Sequence, residues 1–247
     1  MSPHKIFVNL CGALIGTFLV SSAFAQDAMF AKANQNYAEG NFKEAVDGYE
    51  TLVRSGQWSA TLFYDLGNAY FRTRDFGRAI LNYERALALD RHHPESQANV
   101  LIARDETHAL EMQPTWLERH LQFASLNQYT IGASAAFWAG IFCVTGLVFA
   151  RRRSARTILL SILSFCICGA AVFATYNVAN DAKGVAIVTS KEVTARLATA
   201  DNANSVLALP PGSEIKILSI RGDWVYAALP NSLHGWIPAK NTEQVRL

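Results

Sequence analysis

Two long apolar runs divide the chain. Tyr129 to Ala150 and Thr157 to Val178 each contain 22 residues and no Asp, Glu, Lys or Arg. At about 1.5 Å per residue, each run is long enough to cross a hydrocarbon core of roughly 30 Å. The turn between them, residues 151–156, contains Arg151, Arg152, Arg153 and Arg156. The pattern predicts a two-helix transmembrane hairpin, with spans 129–150 and 157–178.

The basic turn and the N-terminus both predict an orientation. Arginine accumulates in cytoplasmic loops, so the turn is expected in the cytoplasm and both flanks outside it. Lys5 precedes an apolar run from Ile6 to Val20, and small residues follow at Ala23 and Ala25. This is the pattern of a signal peptide over residues 1–25, which is either cleaved after Ala25 or kept as an anchor. The large domains are therefore predicted to be periplasmic, on a bacterial inner membrane.

A helical repeat precedes the hairpin. Residues 30–53 and 64–87 match at an offset of 34, with small residues and rings recurring in step. The second copy carries Leu66-Gly67, Tyr70, Ala79, Tyr83 and Ala86, which resembles the tetratricopeptide repeat. We predict an all-α domain over 27–112, with repeats at about 27–59 and 60–93 and a capping helix at 95–110. So short an array is near the lower limit of independent stability, so we expect it to depend on a partner or on the membrane surface.

The resemblance to the tetratricopeptide repeat implies that the first helix of each repeat lines a concave groove. A ring, an Asn and a ring lie on one helical face of each copy, at positions i, i+4 and i+7. The Asn amide can donate to and accept from a peptide backbone. We predict that these six residues bind a partner protein; the alternative, that some of the rings pack within the repeats, stays open. They are Phe30, Asn34, Tyr37, Tyr64, Asn68 and Phe71.

A β-rich pattern begins after the hairpin. Short strands are predicted at Val185 to Val188, Val193 to Leu197, Ile215 to Ile220, Trp224 to Leu229 and Gly235 to Ile237. Turn residues separate them, and five or six strands in residues 184–247 predict a small all-β barrel. The Asp-Trp-Val and Gly-Trp-Ile triplets around Trp224 and Trp236 resemble the bacterial SH3-like domain. That resemblance implies a shallow ligand surface edged by the two rings; the alternative is that both rings close the core.

Composition narrows the function classes. The chain is 51% hydrophobic and 17% charged, its net charge is only +2, and much of its positive charge lies in the hairpin turn, so nucleic-acid binding is not predicted. Cys143, Cys166 and Cys168 lie inside the apolar runs, which leaves no disulfide framework outside the membrane. Asp105 and His108 supply only two metal ligands, and no nucleophile with a paired base is visible. We therefore expect no metal, no cofactor and no enzymatic activity.

The order of the segments resembles the BatE proteins of the bacterial aerotolerance operon. Signal peptide, repeats, a juxtamembrane segment at 113–128, hairpin and SH3-like domain follow one another as in that family. The resemblance implies a multidomain membrane scaffold that meets membrane proteins with von Willebrand factor type A domains and, indirectly, a MoxR-type AAA ATPase. Two separate modules on one tether would then capture a partner together. The alternative is a cell-wall protein that holds peptidoglycan and recruits a wall enzyme.

Overall fold

The computed structural model describes residues 27–114, 116–121, 124, 126–149 and 154–246. The predicted signal peptide and the predicted turn residues Arg151, Arg152 and Arg153 lie outside the described residues. The described part contains a helical repeat region, two long apolar helices and an antiparallel sheet.

Five helices form the repeat region: α1 (27–38), α2 (Phe42–Arg54), α3 (Ala60–Arg72), α4 (Phe76–Leu89) and α5 (Pro94–Thr107). Three helices begin at side-chain caps, because Ser59 accepts a hydrogen bond from the Leu62 amide, Asp75 one from the Arg78 amide and His93 one from the Ser96 amide. The turn inside each repeat contains a left-handed residue, Gly40 with φ 84° in the first and Arg74 with φ 62° in the second. The two repeats therefore share their turn geometry although their turn residues differ.

Small residues bring the helices of each pair together, as the sequence pattern predicts. Ala33, Ala45 and Ala79 are fully buried. A Cβ placed on Gly67 would lie 2.7 Å from the Tyr83 ring, which is closer than two carbon atoms can approach. These contacts fix the spacing within each pair and leave the large rings to fill the space beside them.

The helix α5 ends at Thr107, whereas the sequence pattern extends the capping helix to 110. His108 is left-handed, with φ 53°, and the chain then runs extended. The Leu110 amide donates to Ser213 Oγ at 3.1 Å, and the Leu110 carbonyl accepts from the Glu214 amide at 2.9 Å. The helix stops early because the following residues join the sheet.

The short helix α6 (Trp116–Leu121) leads to the two apolar helices, α7 (Leu126–Phe149) and α8 (Ala155–Lys183). Among the described residues, segments Asn127–Phe149 and Ala155–Asn180 are long and apolar enough to cross a membrane. The two helices pack closely where Gly140 faces the Phe165 ring, and Ser164 Oγ donates to the Ala136 carbonyl at 2.7 Å. A small residue opposite a ring and a polar group satisfied by the partner helix are features of helix pairs in lipid.

The C-terminal residues form a seven-stranded antiparallel sheet within the described part of the chain. Its spatial order is β3-β2-β6-β5-β4-β1-β7. The five predicted strands are present, and the structure adds β3 and β7, which the sequence pattern missed. The bounds are β1 (Val185–Val188), β2 (Val193–Arg196), β3 (Ser205–Leu209), β4 (Glu214–Arg221), β5 (Trp224–Ala228), β6 (His234–Pro238) and β7 (Thr242–Gln244).

The sheet packs directly on the second repeat. A Cβ on Gly77, in the first turn of α4, would lie 2.7 Å from the carbonyl oxygen of Thr189, just after β1. A Cβ on Gly212, which has φ 86°, would overlap the end of the Ile80 side chain even more closely. Ile187 and Val245 of the sheet belong to the same buried cluster as the core of the repeats. The repeats and one face of the sheet therefore share a hydrophobic core, and the interior of the sheet forms a second one.

Arginines on α4 complete this interface. The Arg85 guanidinium donates to the Gln244 carbonyl at 3.0 Å and lies 3.4 Å from the Glu243 carboxylate, which Arg78 also approaches at 3.7 Å. Because β7 is an edge strand, these contacts occupy hydrogen-bonding groups that another chain could otherwise pair with. The sequence led us to expect that the short array depends on a partner or on the membrane; its second repeat is instead covered by the sheet of its own chain.

Candidate interaction surfaces

The six predicted groove residues are half-buried or exposed, and they make the same contacts in both repeats. Phe30 lies 5.9 Å from Tyr49, and Tyr64 lies 6.2 Å from Tyr83. At the other end of the row, Tyr37 packs edge-on against Phe42 and Phe71 against Phe76, with centroid distances of 5.3 and 5.2 Å. Each ring thus rests on the second helix of its own repeat while part of its surface stays open to solvent. We call these six residues the groove face.

The two asparagines of the groove face each satisfy a buried tyrosine. Tyr49 Oη donates to Asn34 Oδ1 at 2.6 Å, and Tyr83 Oη donates to Asn68 Oδ1 at 2.8 Å. Burial raises the pKa of both tyrosines well above the ordinary value, so both hydroxyls stay protonated donors. Asn99 Nδ2 adds a second hydrogen bond to Asn68 Oδ1. Within the described residues, the Nδ2 groups of Asn34 and Asn68 have no partner and are left to donate to a ligand.

A carboxylate that the sequence analysis missed stands beside the groove face. Asp65 follows Tyr64 on α3, and burial raises its pKa to about 6, against the opposing effect of His93. At neutral pH the side chain is therefore mostly ionised. The first repeat has Ala31 at the matching position, so an acidic residue in only one copy was the available signal. The groove offers rings, amide donors and one negative charge, which suits a polypeptide segment with a free carbonyl and a basic group.

The sheet carries a second candidate surface. Trp224 and Trp236 lie on its outer face and are half-buried. Val225 and Ile237, the next residue along each strand, point into the core. Tyr226 pairs with Trp236 across β5 and β6, and their ring centroids are 5.0 Å apart. His234 stacks on Tyr226 at 6.0 Å. We call these four residues the aromatic row.

Only the two tryptophans of the aromatic row were predicted from the sequence; Tyr226 and His234 were missed. The signal was the alternation along each strand, since Trp224 and Tyr226, like His234 and Trp236, are two residues apart and share one face. Arg196 of β2 lies opposite Trp236 and adds a positive charge at the edge of the row. Rings of this kind bind flat or apolar groups, with one cation available for an anion.

Three carboxylates and one arginine form a charged cluster where the repeats, the linker and the sheet meet. Arg104 Nη2 lies 2.8 Å from Glu84 and 3.8 Å from Glu214, and Arg104 Nη1 lies 3.3 Å from Glu111. Burial, reinforced by Glu84, raises the pKa of Glu214 to about 7, although Arg104 opposes this. Burial also raises the pKa of Glu84. This Arg104 cluster therefore holds a proton near neutral pH.

No metal centre is formed by the described residues, in which no group of three or more His, Cys, Asp or Glu side chains is arranged to hold an ion. Cys143, Cys166 and Cys168 are free thiols on α7 and α8. The Arg104 cluster contains three carboxylates, but the guanidinium lies between them.

Comparison with known proteins supports the repeat assignment. A family model described as tetratricopeptide repeat matches residues 60–93, which comprise α3, α4 and the turn after them. No curated protein matches the chain. Tetratricopeptide repeats are typically interaction modules without catalytic chemistry of their own. Residues 27–107 are thus a helical repeat region of a kind that binds proteins, joined to a β domain.

Proposed function

We propose that this protein is a membrane-anchored extracytoplasmic scaffold that binds partner proteins through the groove face and the aromatic row. The observation that carries the proposal is the groove face of the repeat matched at residues 60–93. Its rings and amide oxygens recur in the first repeat with the same contacts. This recurrence supports the proposal that α1 and α3 bind one partner segment together.

The shared core of the repeats and the sheet sharpens the mechanism. The order of segments in the sequence predicts two separate modules on one tether. Because α4 packs on β1 and β7, the groove face and the aromatic row are instead held in a fixed relation. A partner that touches both surfaces loses little further conformational freedom when it engages the second. The protein then presents both surfaces to its partner in one rigid arrangement, and not on two modules that move independently.

Membrane anchoring by α7 and α8 is part of the proposal. Large side chains such as Phe142 and Phe149 are 71% and 84% exposed, which is costly in water and favourable in lipid. With the arginine turn in the cytoplasm, alkaline phosphatase fused after Leu247 should be active, and the same enzyme fused after Ser154 should be inactive. The reverse pattern would refute the periplasmic placement of the domains.

A substitution at the two asparagines tests the groove face without removing its structural role. In the variant Asn34→Asp/Asn68→Asp a carboxylate oxygen still accepts from Tyr49 and Tyr83, but the amide donors are lost. We expect chemical crosslinking in intact membranes to recover about tenfold less partner, with thermal stability unchanged. Asn41→Asp, an exposed change of the same kind before α2, is the control. Equal recovery from both variants would rule out the groove face.

The segment order favours a place for this scaffold beside the products of the aerotolerance operon. The crosslinked partners expected on that basis are membrane proteins with von Willebrand factor type A domains. A cytoplasmic MoxR-type AAA ATPase could be reached directly only by the arginine turn, so its recovery should depend on those membrane proteins. Capture of the ATPase in their absence would contradict this arrangement.

The aromatic row favours a second candidate function, the binding of peptidoglycan and the recruitment of a wall enzyme. Stacked rings beside Arg196 suit sugar faces and the carboxylates of wall peptides. The test is retention of the detergent-solubilised full chain on purified sacculi, with Tyr226→Ala/Trp236→Ala as the comparison. Retention that is lost in this variant would favour the wall protein, whereas no retention would favour the scaffold.

A further inference from the structure

A cleft of about 990 Å³ lies between the second repeat and the sheet, at the N-terminal end of α4. One wall is formed by α2 and the α3–α4 turn, and the other by the segment after β1 and the turn after β6. It does not overlap the groove face or the aromatic row. Its volume is at the upper end of the range for ligand pockets, which is enough for a short stretch of polypeptide.

The cleft is lined by more cations than anions. Five cationic side chains reach it, against three carboxylates. The Asp75 carboxylate caps α4 and pairs with Arg78 at 3.0 Å, so that pair is neutral as a unit. The four remaining cations come from four separate segments, and within the described residues none of them has an ion-pair partner. They are Lys43, Arg74, Lys191 and Lys240, and they outnumber the remaining carboxylates, Asp47 and Glu106.

Arg74 occupies a backbone position that suits glycine. Its φ is 62°, and the matching residue of the first repeat is Gly40, with φ 84°. A side chain in this left-handed region costs about 1 kcal/mol relative to glycine. The second repeat therefore has a cationic side chain, Arg74, in the lining of the cleft, although glycine, which the first repeat has at this position, would be less strained.

The cleft also lies away from the two predicted membrane helices. None of its lining residues belongs to α6, α7 or α8. A second cavity, of about 670 Å³, is by contrast lined by Leu121 and Val178 beside the hairpin. A lipid headgroup would therefore bind near the hairpin, whereas the basic cleft is open to molecules outside the membrane.

We propose that this cleft binds an acidic segment of a partner protein. Carboxylates of such a segment would pair with Arg74 on the repeat side and with Lys191 and Lys240 on the sheet side, so the segment bridges the two halves of the interface. The cleft is a third surface, and its occupation does not depend on what binds the groove face.

The experiment uses the full chain in nanodiscs of zwitterionic lipid and a fluorescein-labelled oligoglutamate peptide as the probe. Fluorescence anisotropy should report binding that weakens as salt is raised, and an oligoglutamine peptide should not bind. In Lys191→Gln/Lys240→Gln the dissociation constant should rise by roughly five- to tenfold. Arg74→Gly should weaken binding by about threefold while the protein stays at least as stable, which excludes unfolding as the cause.

The matched control removes two cations elsewhere. Arg151→Gln/Arg152→Gln, in the hairpin turn, should bind oligoglutamate as the unmodified chain does. Binding that falls in this control and not in Lys191→Gln/Lys240→Gln would overturn the proposal, as would the absence of oligoglutamate binding. Vesicles of phosphatidylglycerol that compete with the peptide, and lose this effect in Lys191→Gln/Lys240→Gln, would assign the cleft to anionic lipid and refute a protein partner.

Discussion

The second helices of the two repeats, α2 and α4, occupy equivalent places in the fold and differ on one face. Three positions, spaced i, i+4 and i+8, point away from the first helix of each repeat. In α2 they are Lys43, Asp47 and Thr51, all exposed. In α4 the matching residues are Gly77, Leu81 and Arg85, all buried. This face is therefore exposed to solvent in α2 and packed against the sheet in α4.

Each substitution on α4 has a distinct physical role. Gly77 removes a side chain where the backbone after β1 passes, and Leu81 supplies apolar area to the shared core. Arg85 satisfies the edge strand β7. A single helical repeat can therefore bind its own chain's β domain through its second helix while its first helix keeps the groove face free.

The largest effect is expected from giving α4 the residue that α2 has at the central position. Leu81 is 1% exposed, so Leu81→Asp buries a carboxylate in the shared core. We expect the free energy of unfolding to fall by about 4 kcal/mol. The detergent-solubilised chain is unfolded in urea in a background that keeps only Trp224 and Trp236, so that tryptophan fluorescence reports the sheet and far-ultraviolet circular dichroism the helices. The two transitions, coincident without the substitution, should separate in Leu81→Asp.

The reciprocal change is the control. Asp47→Leu places the residue of α4 on the exposed face of α2, and surface substitutions of this kind usually alter stability by about 0.5 kcal/mol or less. If Leu81→Asp left the two transitions coincident, the sheet would not depend on this face of α4. The proposed difference between α2 and α4 would then be wrong.

Much of the local structure follows from the sequence. The offset of 34 predicts the helices of the repeats, and the alternation around Trp224 and Trp236 predicts β5 and β6. A further signal was present in the sequence of α4, where Gly77 and Leu81 stand at the positions of Lys43 and Asp47 in α2, because a helix of an exposed array should be polar on that side. It indicated that something covers the second repeat, but not what.

The remainder depends on contacts between distant parts of the chain. β7 has only three residues, all polar, whereas β3 is apolar from Val206 to Leu209. Each is held by pairing with a strand that periodicity alone does not identify. The hydrogen bonds of Leu110 with Ser213 and Glu214 join residues about a hundred positions apart. Asp65 was missed for the same reason, since its raised pKa follows from the burial that the folded repeats impose.

The matching glutamates Glu50 and Glu84 differ in their surroundings, and this difference should make stability depend on pH. Glu50 on α2 pairs with Arg54 near the surface, whereas Glu84 on α4 lies in the buried Arg104 cluster with Glu214. Because the pKa of Glu214 is raised from 4.5 to about 7, the folded protein keeps a proton that the unfolded chain releases between these values. The free energy of unfolding should therefore fall by about 3 kcal/mol as pH rises across that range, and stay low above it.

Urea unfolding at several pH values measures this slope, and Glu214→Gln should remove most of it. Asp65→Asn is the comparison, because the pKa of Asp65 is raised in the same direction by burial outside the interface. Asp65→Asn should remove a smaller part of the pH dependence of the free energy of unfolding. A slope of the opposite sign, with stability rising through neutral pH, would show that the Arg104 cluster is fully ionised in the folded protein.

The smallest of these effects isolates the close approach of the two backbones. A Cβ on Gly77 would lie 2.7 Å from the Thr189 carbonyl and 3.0 Å from the Val188 carbonyl, and backbone atoms cannot move aside as a side chain can. Gly77→Ala should therefore lower the free energy of unfolding by about 2 kcal/mol, despite the higher helix propensity of alanine. Lys43→Ala, at the matching exposed position of α2, should change it little. If Gly77→Ala instead stabilised the protein, propensity alone would govern both helices, and the sheet would have to pack on α4 less closely than these distances require.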